Sequence, residues 1–139
     1  MTRDFHSSEI EDISAELVSR FDAAWNERDA DGLAALFSED ADFQFYYGHL
    51  VRGREKIRKY YQDKVFPYLE EGLRHVTRKY QVRVLTEGAI LGTGRVDLVE
   101  VDSAGREVKI QRRVRVTTVV VWEIDEWKFA AVRVMVPVK

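Results

Sequence analysis

Between Ser19 and Gly53 the apolar residues change their period twice. Phe21, Ala24 and Trp25 recur at helical spacing, Leu33, Leu36 and Phe37 restart that spacing after a break, and Phe43, Phe45 and Tyr47 alternate as in a strand. The linkers at 26–31 and 38–40 are rich in cap and turn formers, which predicts two helices packed closely on the strand they feed. Upstream, Ile10, Ile13 and Leu17 extend the first stripe, and Ser8 followed by Glu11 has the spacing of a capping box, so the first helix is expected over 8–27. Asp29 or Asp31 is placed to cap a short second helix that ends near Phe37, with a strand over 41–47 behind it. Gly48 and Gly53 bracket a turn and a short return strand. A third helix then starts at Arg54, carries Ile57, Tyr60, Tyr61 and Val65 on one face, and stops at Pro67.

Beyond Gly72 the character is different. Segments 75–86, 89–101, 107–122 and 127–138 are β-branched and mostly alternating, and turn signals separate them. Connections this short leave no room for crossover helices, so these segments predict a four-stranded antiparallel meander. Helices followed by consecutive strands make an α+β domain with the helices on one face of a curved sheet. A single domain over 1–139 is expected, without repeats or low-complexity tracts.

Composition narrows the chemistry. With 45% hydrophobic and 33% charged residues the chain is a globular sequence, with no apolar run long enough for a membrane span and no apolar signal core in its first residues. A cytoplasmic protein is the expectation. The absence of cysteine excludes disulfides, thiol catalysis and cysteine-bound metals, and His6, His49 and His75 stand at no metal-ligand spacing, so no metal or cofactor is expected. Charge is unevenly spread: residues 1–42 hold 12 Asp/Glu against 3 Lys/Arg, giving −9, and residues 73–139 hold 8 against 13, giving +5. The simplest reading is that charges on packed neighbours complement one another. Lys109, Arg112, Arg113 and Arg115, with Tyr80 on a nearby strand to stack a base, offer an alternative nucleic-acid face, but a pI of about 6.0 argues against it.

The motifs AAWNERDADGLAALFSEDADF and VRGREKIRKYY, followed by strands ending in WEIDEWKFAAVRV, resemble the nuclear transport factor 2-like superfamily, and within it the SnoaL-like branch of small bacterial proteins. The resemblance spans about residues 8–137. It implies a cone-shaped curved antiparallel sheet with three N-terminal helices on its concave face, and a pocket between them. Phe21 and Trp25 of the first helix, Phe43, Phe45 and Tyr47 of the first strand and Tyr61 of the third helix would line this pocket. Val116, Thr118, Val120 and Trp122 would form its far wall.

The superfamily also implies chemistry that can be tested position by position. Where its steroid isomerases carry a carboxylate base and a helix-one tyrosine, this chain has Phe45 and Phe21, so that mechanism is absent. Tyr61 matches a supporting tyrosine, and Thr118 falls near the second acidic residue of those enzymes. Of the limonene-type epoxide hydrolase set, Arg95-Val96-Asp97 matches the Arg-x-Asp pair, while Phe43, Phe45 and Val134 replace the other members. Three readings follow. The first is a binder of a small apolar molecule without a known catalytic set; the second is an enzyme on an apolar substrate with Asp97 as base held by Arg95; the third is a scaffold with a filled cone. On the amphipathic pattern alone, Val96 and Leu98 face the core and the Arg95–Asp97 pair is solvated. Val119, Val121, Val132 and Val134 make both faces of the last strands apolar, which points to a homodimer through the sheet.

Overall fold

The computed structural model describes residues 7–136. Helix α1 covers Ser7–Asn26 and buries Ile10, Leu17, Phe21, Ala24 and Trp25 along one stripe. It already includes Ser7, one residue before the expected cap, and the side chain of Ser8 lies outside the described residues, as does His6. A left-handed residue, Arg28 (φ 57°), turns the chain, and Asp29 caps α2 (Ala30–Ala34) by accepting a 2.9 Å hydrogen bond from the Gly32 amide.

Strand β1 spans Phe37–Gln44, so it starts four residues earlier than the polar stretch 38–40 suggests. Phe37 pairs with Phe129, and the register then shifts before Asp42. Glu39 and Asp40 are exposed within this irregularity, while the Ser38 hydroxyl donates to the Phe129 carbonyl at 3.2 Å. Residues that cap helices elsewhere here occupy a bulge. β2 (Val51–Arg52) returns along β1, and α3 (Arg54–Tyr60) runs on through a wide π turn at Tyr61–Val65 and a 3-10 turn at Phe66–Tyr68 that contains Pro67.

The meander β3 (Leu73–Thr86), β4 (Ala89–Val101), β5 (Glu107–Glu123) and β6 (Glu126–Met135) forms as expected, each pair antiparallel. The sheet order is β2-β1-β6-β5-β4-β3, and β1 runs parallel to β6. The expected all-antiparallel sheet is therefore corrected to a mixed one. Hairpin length constrains only consecutive strands, and the whole meander separates β1 from β6. The result is the expected α+β cone: a curved, unclosed six-stranded sheet with the helices in its concavity. Among the described residues no helix is long and apolar enough to cross a membrane.

The acidic N-terminal part meets the basic strands directly. Asp42 of β1 accepts from Arg133 of β6 at 2.7 Å, and Asp22 of α1 reaches β3. Arg28 donates to the carbonyls of Trp25, Glu70 and Leu73, tying the end of α1 to the start of β3. Charge asymmetry along the sequence thus becomes complementarity across the fold.

Candidate functional site

A cavity of about 260 Å³ lies between α1, β1, the π turn and the concave face of the sheet. Phe21, Trp25, Phe43, Phe45, Tyr61, Val96, Val114 and Val132 give it apolar walls. The rings touch edge to face in sequence, Phe37 to Phe43 at 6.3 Å and Phe43 to Phe45 at 4.6 Å, so the wall is a continuous aromatic layer. Tyr47 stacks on Phe45 at 5.6 Å yet is 69% exposed, which places it at the rim. Beside it, Arg112 lies over the Tyr46 ring and hydrogen-bonds its hydroxyl.

Of the residues named from sequence as pocket wall, Phe21, Trp25, Phe43, Phe45, Tyr47, Tyr61 and Thr118 line this cavity, together with Val116. Trp122 does not. It packs against Trp127 across the β5–β6 hairpin with ring centroids 5.4 Å apart, because β5 runs beyond the cavity before it turns.

Asp97 and Arg95 are not in the cavity either, and their reading as a base and its holder there is corrected. Val96 and Leu98 line the cavity, and the period of two turns Arg95 and Asp97 to the outer face of β4. Asp97 is nevertheless only 1% exposed, so the solvated pair of the simple amphipathic reading does not hold for it. Arg78 Nε lies 3.1 Å from Oδ2, Arg113 Nε 3.4 Å from Oδ1, and Arg95 Nε a distant 4.0 Å from Oδ1. The arginine stems shield the carboxylate, and Arg78 continues to Glu107, whose pKa it lowers. This is a structural charge cluster on the back of the sheet. Asp97→Asn is expected to lower stability by about 1–3 kcal/mol, the cost of weakening hydrogen-bonded buried charge, and to leave the cavity's chemistry unchanged. Urea unfolding beside an activity assay measures both.

The cavity instead holds a pair that sequence reasoning passed over. His75 of β3 lines it, and its Nδ1 lies 2.6 Å from Asp22 Oδ1 on α1. Asp22 is anchored in turn: Thr77 donates to it through its hydroxyl at 3.0 Å and its amide at 3.3 Å. One turn further along α1, Asn26 accepts from the His75 amide at 2.7 Å and donates to the His75 carbonyl at 3.1 Å. Asp22 and Asn26 stand four residues apart and share a helix face, so one holds the ring and the other the backbone. Phe21 and Trp25 flank the imidazole at centroid distances of 5.3 and 5.2 Å. A carboxylate can only accept, which makes Nδ1 the protonated nitrogen and leaves the Nε2 lone pair for a ligand. The arrangement is an imidazole held in one orientation at the wall of an apolar cavity, the geometry that proton transfer requires.

A curved α+β cone with a cavity behind its first helix defines the nuclear transport factor 2-like class. The sequence model of the SnoaL-like domain matches residues 18–132, and the chain belongs to that family. No curated protein matches it in sequence. Among solved structures it is similar to Rv3472, a protein of unknown function from Mycobacterium tuberculosis, with 26% identity, a TM-score of 0.76 and coverage of 93% of this chain and 72% of that one. A cystatin-like domain of unknown function from Nostoc punctiforme superposes with a TM-score of 0.81 at 21% identity, over 97% of this chain and 81% of that one. A hexachlorocyclohexane dehydrochlorinase from Novosphingobium barchaimii does so with a TM-score of 0.75 at 14% identity, over 93% and 87%. These likenesses carry the fold; the chemistry rests on this chain's own residues.

Proposed function

We propose that the protein is an enzyme that removes a proton from carbon in an apolar, ring-shaped substrate, with His75 as base and Asp22 as the residue that orients it. The observation that carries this reading is the 2.6 Å His75–Asp22 contact at the wall of the aromatic cavity. Nε2 takes the proton, and the electron pair of the C–H bond forms a carbon–carbon double bond. Either a leaving group departs from the neighbouring carbon with its bonding pair, or an adjacent double bond of the substrate gives up its pair to the proton at its far carbon, so the reaction is an elimination or an isomerisation. The Phe21 and Trp25 faces exclude water and position the ring; the open cavity speaks against a filled scaffold, and the base speaks against a binder alone. The dehydrochlorinase name of one structural neighbour is consistent with an elimination.

The test is hydrogen–deuterium exchange of 2-tetralone, an apolar bicyclic ketone with acidic C–H bonds, followed by NMR in D₂O. Exchange faster than the background rate is expected. Exchange at the background rate while 2-tetralone raises the melting temperature would remove the base and leave a binder.

The back of the sheet supports assembly as a homodimer. Val119 and Val121 are half-buried there and Met135 is 45% exposed, whereas Val132 and Val134 turn inward to the cavity. Sedimentation at about 50 μM, a concentration at which even a modest interface of this class associates, is expected to give a dimer. A monomer there excludes it.

A further inference from the structure

Toward the other end of the cavity from His75, two hydroxyls face each other. Tyr80 of β3 and Thr118 of β5 both line the cavity, and Tyr80 Oη lies 2.5 Å from Thr118 Oγ1. The two strands are not neighbours, because β4 lies between them. Contact is possible because Tyr80 is paired with Gly94 and Thr118 with Gly92, which leaves the inner surface of β4 bare and lets the phenol ring lie across it. A Cβ on Gly94 would stand 2.8 Å from Tyr80 Cδ2, and one on Gly92 would fall 2.5 Å from Thr118 Oγ1.

Strict alternation would put Tyr80 on the face opposite His75, since five positions separate them. The irregularity between Thr77 and Lys79 adds one residue to β3, so that His75, Thr77 and Tyr80 all reach the cavity. His75 and the rim residue Arg112 are both paired with Leu98, whereas Thr118 is paired with Gly92, six positions further along β4. That is roughly 20 Å along a flat strand and less along a curved one. The hydroxyl pair therefore sits toward the other end of the cavity from the base and the rim residue Arg112, where Tyr80 also borders a second hollow beside α1.

When one hydroxyl donates to the other, one O–H is left over. Among the described residues neither oxygen has a further hydrogen-bond partner. Burial pushes the Tyr80 pKa up, so the phenol remains protonated at neutral pH. Such a donor on an apolar wall favours a ligand that brings an acceptor to it.

We propose that Tyr80 and Thr118 form an oxygen-reading subsite, which takes a carbonyl or hydroxyl oxygen at one end of an elongated apolar ring molecule while its reacting carbon lies at His75. The substrate class is then a fused-ring or similarly long compound that carries an oxygen on the end remote from the reacting carbon. The placement of the reacting carbon rests on the base reading above; oxygen recognition is a binding property measured without turnover.

The experiment compares two probes of nearly equal shape, 2-naphthol and 2-methylnaphthalene, by calorimetric titration of the full chain. Wild type is expected to prefer the naphthol by about tenfold, as one net hydrogen bond gives. The Tyr80→Phe/Thr118→Val double variant should bind both probes alike, with the affinity for 2-methylnaphthalene kept within about twofold. His75→Ala should keep the preference. Equal binding in wild type, a preference that survives in the double variant, or one lost in His75→Ala each overturns the subsite and leaves the base to be judged by deuterium exchange. If neither probe binds wild type at millimolar concentration, both the subsite and the cavity's ligand role fall. Should the double variant fail to unfold cooperatively, the decision passes to Tyr80→Phe, which preserves the ring that fills the slot over Gly94.

Discussion

Replacing His75 by alanine is expected to slow enzyme-dependent exchange of 2-tetralone by about 10²–10⁴-fold, the range a positioned general base supplies. The side chain is mostly buried but is held by polar contacts rather than by close packing alone, so the variant should still fold. Asp22→Asn separates orientation from simple presence. A carboxylate enforces the proton on Nδ1, but an asparagine amide can donate to Nδ1 and drive the proton to Nε2, where it blocks the base. The asparagine variant should therefore lose most of the exchange while 2-tetralone binding, read as a thermal shift, is retained. Thr77→Val removes one of the two donors that fix Asp22 and should have a smaller effect in the same direction. If His75→Ala exchanges as fast as wild type, the histidine is not the base.

The second large effect concerns stability. Phe37→Ala is expected to destabilise the fold by about 3–5 kcal/mol, because a fully buried aromatic is lost and its neighbours cannot close the gap. Phe37 is 0% exposed and touches Phe21 of α1 at 6.3 Å, Phe43 of β1 at 6.3 Å and Phe129 of β6 at 5.5 Å. It joins helix, first strand and last strand, and its carbonyl accepts from Arg54 Nε at 2.9 Å at the start of α3. Against a total stability of about 5–15 kcal/mol, such a loss is a large fraction. A shift of the urea midpoint with an unchanged slope measures it; a shift below about 1 kcal/mol would mean that the aromatic layer is not cooperative.

Sequence periodicity by itself determined most of the architecture. The helical stripe of Ile10, Leu17, Phe21 and Trp25 and the alternation through 89–101 and 107–122 each follow from burying one face of a regular element, a local property that needs no knowledge of partners. The same alternation assigned Phe43 and Phe45 to the wall of the cavity, and it already placed Val96 and Leu98 opposite Arg95 and Asp97. It could not supply pairings between distant segments. Asp22 and His75 are 53 residues apart and meet only because Asn26 and Arg28 fasten the end of α1 to the start of β3. The sequence clue was slight: an acidic residue set between Phe21 and Trp25 on the buried side of a helix, with an amide one turn later. Bulges were equally invisible, because one extra residue in β3 reverses the faces of everything after it. That single residue brings Tyr80 to the cavity and Arg78 to Asp97, and the shift in β1 turns the cap-like Ser38–Asp40 into strand. The family resemblance offered Asp97 as a base held by Arg95, yet the tertiary structure made Arg78 its closest cation and the back of the sheet its place. Local sequence sets which face a residue prefers, whereas register and docking decide which other residue that face will meet.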